Sequence, residues 1–146
     1  MRTFNKSPLY LSIASFFISS MTIWFTSLGV TLSAGGNRTL LYIFAVTFWL
    51  FFILGFVFLR PIGKQRKKDR QYKGKSGIGL LRFFSNKPAL VFDSLLIAGA
   101  LALILAFIFP KLPGWMITAA TFTLVFSAEM HGIFNGNNYE YLNADK

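Results

Sequence analysis

Asp93, Glu129 and His131 are the side chains of this 146-residue chain with the clearest capacity for chemistry. They are acids and an imidazole set inside long apolar segments, and His131 is the only histidine. A charge at the centre of a bilayer costs about 2.5–3.5 kcal/mol even on insertion-derived scales, so intramembrane ionisable groups are functional-site candidates. Three uses suit Asp93 and Glu129: a structural ion pair, a proton or cation site, or contact with a partner protein. Arg60, Arg82 and Lys87 are close enough in sequence to snorkel toward either acid from the membrane boundary. Two carboxylates and an imidazole would also make a metal set if they converged. Glu129 and His131 are two residues apart, however, which on an α-helix is about 200° of rotation, so they face opposite ways. No metal site is expected, and His131 reads as an interfacial or carbonyl-capping side chain.

Other chemistries are excluded by composition. Cysteine is absent, which removes disulfides, thiolate ligands and cysteine nucleophiles. No acid shares the helix face of His131, so no Ser-His-Asp set is expected on these helices. Gly74, Lys75 and Ser76 resemble the end of a phosphate-binding loop, but the earlier glycine position holds Asp69 and no strand precedes it. The expectation is a protein that is not an enzyme and carries no cofactor.

The elements that position these residues are set by hydropathy. The chain is 54% hydrophobic and 18% aromatic with only five acids, a composition suited to a single membrane domain. Thr39 to Leu59 contains no charge and, as a helix, is roughly 30 Å long, the thickness of a hydrocarbon core. Continuous apolar runs, and not period-two alternation, select helices. The expected fold is all-α: an integral membrane protein of four antiparallel transmembrane helices at about 8–32, 40–59, 88–109 and 113–134. The first is read as an uncleaved span, since no charge falls between Lys6 and Arg38, too long for a signal segment. Ser33 to Thr39 and Pro110 to Gly114 are tight connections.

Charge supplies direction. Ten of the fifteen basic residues lie in the loop 60–87, and only Arg38 and Lys111 fall on the opposite side of the spans. The positive-inside rule then puts the loop and both termini in the cytoplasm. The net charge of +10 is therefore assigned to anionic lipid headgroups, with Arg66, Lys67, Lys68, Arg70, Lys73 and Lys75 as the contacts, and not to nucleic acid. Pro61 to Phe84 reads as a solvated loop anchored by lipid charge, with the alternative that Ile78 to Phe84 lies flat in the headgroup plane.

Packing faces complete the reading. Ser12, Ser15, Ser19, Thr22, Thr26 and Gly29 recur at steps of three and four, a small and hydroxylated stripe that allows close helix contact in lipid. It suits an internal interface, a permeation lining or a partner helix. Ser94, Ala98, Ala102 and Ala106 repeat every fourth residue on helix three. Helix two spreads phenylalanines around its circumference, as expected of a lipid- or partner-facing helix. Gly136 reads as a helix C-cap, with Tyr139 and Tyr141 available to headgroups or another protein. The four-span plan resembles that of many small bacterial membrane proteins, toxin-immunity proteins among them. The expected function is an accessory or regulatory subunit or a toxin-immunity protein of the bacterial plasma membrane. It would act through another membrane protein or through self-association. The alternative is an oligomeric small transporter or channel subunit with a carboxylate proton or cation site.

Overall fold

The computed structural model describes residues 5–32, 38–69, 72, 74 and 81–143, with the side chains of 27–32 outside that description. Five helices follow one another: α1 (Ser7–Leu32), α2 (Arg38–Lys68), α3 (Lys87–Ile108), α4 (Gly114–Phe134) and the short α5 (Asn137–Leu142). The first four contain stretches long and apolar enough to cross a membrane, which makes this a multi-pass membrane protein. Among the described residues there is no strand.

Helix starts follow local chemistry. Asn86 caps α3 by accepting from the Ala89 N–H at 3.0 Å, and Pro88 occupies the first turn, where a missing N–H costs nothing. Pro113 precedes α4 in the same way, after a turn closed by the Leu112 N–H on the Phe109 carbonyl.

Helix two is longer than its apolar run. Sequence alone ends it at Leu59, but α2 passes through Arg60 and Pro61 to Lys68, about 45 Å in all. Pro61 forfeits one backbone hydrogen bond. Burial of the next residue, Ile62, against Leu9, Ile133, Tyr141 and Leu142 offsets that loss, and Arg66, Lys67 and Lys68 complement the negative helix end. The first part of the expected loop 60–87 is thus helical.

The α1 stripe lies inside the bundle. Ser12, Ser15, Ser19 and Thr22 are buried, and Ser12 donates to the Gly55 carbonyl of α2 at 2.8 Å while Ser19 donates to that of Phe48 at 3.3 Å. Ser15, Thr22 and Thr26 return their hydroxyls to carbonyls of α1. The surroundings of Gly29 lie outside the described residues. Two glycines admit a close neighbour, a ring at Gly55 and a helix backbone at Gly99. A Cβ on Gly55 would sit 2.6 Å from Phe16 Cζ, and one on Gly99 of α3 would sit 2.9 Å from the Leu124 backbone nitrogen of α4.

The remaining faces look outward. Of α2 only Gly55 and Ile62 are buried, and its aromatics stack mainly on one another and on Phe16. On α3 the buried positions are Ala89, Asp93 and Gly99, whereas Ser94, Ala98 and Ala102 are exposed. Trp24 packs edge-on against Phe122, while Trp49 and Trp115 are exposed.

Candidate functional site

The start of α3 and the end of α4 meet in a buried polar cluster. Asp93, one and a half turns into α3, is wholly buried. Its Oδ1 lies 2.7 Å from His131 Nδ1 and accepts from Asn135 Nδ2 at 3.0 Å. Its Oδ2 accepts the Phe84 backbone N–H at 2.5 Å and Asn135 Nδ2 at 3.2 Å. His131 and Asn135 are four residues apart on α4, so one helix face presents both.

Asn135 extends the network to the chain entering α3. Its Oδ1 accepts the Ser85 hydroxyl at 2.6 Å and the Ser85 N–H at 3.3 Å, and Asn86 Nδ2 donates to the Phe134 carbonyl at 2.8 Å. The Phe83 ring lies over the His131 imidazole with centroids 4.5 Å apart. Phe84 has φ 55°, a left-handed conformation that costs a bulky L-residue about 1–2 kcal/mol. The hydrogen bond from its N–H to Asp93 is what that geometry secures. Chemically the cluster is a latch: the Asp93 carboxyl gathers Phe84 from the chain entering α3 and His131 and Asn135 from the end of α4, with Asn135 Nδ2 shared between its two oxygens.

Two expectations are corrected by this geometry. His131 is buried and bonded through Nδ1 to Asp93, not set exposed among headgroups. Neither intramembrane acid takes Arg60, Arg82 or Lys87 as its ion-pair partner: Arg82 bridges to Glu140 at 3.0 Å and to Asn137 at 3.0 Å. The physical reason is reach, since an adjacent helix supplies donors at the depth of the carboxyl without a long side chain having to snorkel. The acid that meets His131 comes from α3 and not from its own helix face, so helical spacing alone does not reveal it.

Glu129 stands apart from this latch. Its Oε2 accepts the Ser20 hydroxyl of α1 at 2.7 Å, and its Oε1 is buried with no hydrogen-bond partner. Ser20, next to the Ser12–Thr26 stripe but outside it, was missed in sequence because it breaks the step of three and four. Asp93, Glu129 and His131 do not converge, and among the described residues no group of three metal-ligating side chains does.

A second polar region adjoins the latch. A cavity of about 310 Å³ is lined by Tyr72, Arg82, Asn135, Tyr139, Glu140 and Asn143 together with the Ser85–Asn86 turn. Helix α5 forms one wall. Its Tyr141 is buried against Tyr72 with centroids 5.0 Å apart, and Tyr139 packs edge-on against Phe134. Both tyrosines expected to meet headgroups or another protein are thus engaged within the chain. Burial holds the Tyr139 phenol above its ordinary range. The Tyr72 phenol is also raised, first by burial and then by Glu140, against the opposing pull of Arg66 and Arg82.

Of the residues assigned to headgroups, Lys67 and Lys68 are exposed at the end of α2 and Arg66 is half-buried, with its Nε lacking a partner. Arg70, Lys73 and Lys75 lie outside the described residues. Comparison with protein-family models, curated proteins and solved structures finds no match.

Proposed function

We propose that this chain is a small non-enzymatic membrane protein that works by lateral helix contact with another membrane protein. It would serve as an accessory or regulatory subunit or as a protector against a membrane-acting toxin. The four spans are antiparallel, and both termini and the basic end of α2 face the cytoplasm against anionic lipids, as the distribution of Lys and Arg implies. The plasma membrane of a bacterium is the proposed location.

The observation that carries this reading is the outward stripe Ser94, Ala98 and Ala102 on α3. Small residues let a neighbouring backbone approach closely, and in lipid such contact depends on van der Waals packing and not on hydrophobic exclusion. Within the chain α3 packs against α4 through its other face. The phenylalanine-rich outer surface of α2 offers a second contact area.

The test is co-purification in mild detergent. A partner should be recovered in fixed stoichiometry and lost when Ala98 and Ala102 are both changed to Leu, with the thermal transition of the chain unchanged. Retention of the partner by that variant rejects the α3 stripe as the contact. For orientation, cysteines replacing Lys64 and Lys111 should label from opposite sides with an impermeant reagent.

The transporter reading has one observation in its favour, the unpartnered Oε1 of Glu129 between α1 and α4. Solute flux in liposomes that is abolished by Glu129→Gln, with assembly intact, selects it over the accessory role.

A further inference from the structure

The segment that leads into α3 is inside out for water. From Leu81 to Asn86 the apolar side chains face outward: Leu81 is 77% exposed, and Phe83 and Phe84 are each 49% exposed. The polar side chains are engaged within the protein. Arg82 donates to Glu140 and Asn137 of α5, both at 3.0 Å, the Ser85 hydroxyl donates to Asn135 at 2.6 Å, and the Asn86 amide donates to the Phe134 carbonyl at 2.8 Å. A run of neighbouring apolar groups turned outward marks a contact surface, whereas single exposed ones do not.

The backbone of this segment is provided for in the same sense. Residues 82–86 are not helical, and irregular backbone is tolerated at membrane depth only where protein groups satisfy it. The latch does so at two points: Asp93 accepts the Phe84 N–H at 2.5 Å, and Asn135 accepts the Ser85 N–H at 3.3 Å. Along the chain the apolar surface continues onto α3, where Leu90 and Val91 are 55% and 51% exposed in the first turns of a helix of spanning length. Acyl chains are the surroundings of such positions. Lys87, exposed between the two stretches, has a stem long enough to lie along apolar surface while its ammonium stays among headgroups.

We propose that Leu81, Phe83 and Phe84 form an interfacial foot that dips into the bilayer at the boundary between headgroups and acyl chains. The partner is the lipid surface itself, recognised by its apolar upper layer and not by headgroup charge. Asp93 and Asn135 serve the foot by holding backbone N–H groups that have no water to bond at that depth. The foot rests on α3 being a membrane span and holds for either direction of the chain across the bilayer.

The chain has no cysteine, so single introduced cysteines can carry a nitroxide. Leu81→Cys and Phe84→Cys are labelled in the full chain, reconstituted in phosphatidylcholine vesicles with and without phosphatidylglycerol, and compared by EPR power saturation with Val91→Cys on α3 and Lys67→Cys on α2. Oxygen, which concentrates in hydrocarbon, should relax the Leu81→Cys and Phe84→Cys labels more than a water-soluble nickel chelate does, as at Val91→Cys, and the order should reverse at Lys67→Cys. The preference should persist without phosphatidylglycerol. Leu81→Cys replaces the most exposed of the three residues, so its reading stands even where Phe84→Cys disturbs the turn. Preference for the nickel chelate at Leu81→Cys, with Val91→Cys in hydrocarbon, overturns the foot in favour of a solvated segment. Poor access to both reagents overturns it in favour of a protein cover, a second copy or a partner. A Val91→Cys label that also prefers the nickel chelate would instead defeat the membrane placement of α3.

Discussion

Removing the Asp93 carboxyl is the most informative perturbation of this fold. Asp93→Ala leaves three buried donors, the Phe84 N–H, His131 Nδ1 and Asn135 Nδ2, facing a small void. Two scales bound the cost. If each contact behaves like an average intramembrane hydrogen bond, about 0.6 kcal/mol apiece, the loss is about 2 kcal/mol. If instead each of the three stranded donors carries a desolvation penalty of about 1–1.5 kcal/mol, the loss is about 3–5 kcal/mol. The wholly buried carboxyl and the 2.7 Å separation from His131 favour the upper range. Denaturant unfolding in detergent micelles reads the value. A cycle of Asp93→Ala, His131→Ala and the double variant should be non-additive by more than about 1 kcal/mol, since each single change strands the other group. A cost below about 1 kcal/mol for Asp93→Ala, with additive behaviour in the cycle, would refute the latch.

Three further outcomes follow from local geometry. Gly99→Ala puts a methyl group 2.9 Å from the Leu124 backbone nitrogen, so α3 and α4 must separate; a loss of about 1–3 kcal/mol is expected in the same unfolding assay. Phe84→Gly removes the left-handed penalty at φ 55° while keeping the N–H that Asp93 accepts, and should stabilise the chain by about 1 kcal/mol. The raised Tyr72 phenol gives a pH signature. The folded state holds that proton more tightly than the unfolded state, so its contribution is complete below the ordinary tyrosine value of about 10 and is lost as pH climbs through the folded value. Thermal scans should therefore show a steeper fall in Tm above about pH 10 for the native chain than for Tyr72→Phe.

The role of α5 bears on how the basic end of the chain is organised. Ile62 of α2, Tyr72 and Tyr141 draw the segment after Pro61 onto the C-terminal helix, so a stretch read as a solvated loop is instead part of the packed end. That arrangement places Arg66 and Arg82 within electrostatic reach of the Tyr72 phenol. Exposed cations remain on the same last turns of α2, at Lys64, Lys67 and Lys68, free to meet headgroups.

Residue order was enough to settle the solvent and the class of this protein. Four apolar runs of spanning length, Asn86 with Pro88 ahead of α3 and Pro113 ahead of α4 are local signals, and hydropathy and capping act within a few residues. The small and hydroxylated stripe from Ser12 to Thr26 is local too, since its spacing alone puts it on one face. Which face of each helix meets a neighbour is not local. The stripe on α3 looked like a packing seam, yet its exposed members show that Gly99 and Asp93 mark the seam that α4 uses. The Asp93–His131 contact joins residues 38 apart, and Asn135 joins it by lying one turn beyond His131 on the same face. Periodicity places a side chain on a stripe, whereas the helix that covers the stripe is chosen by how whole helices dock, and that choice exists only in three dimensions.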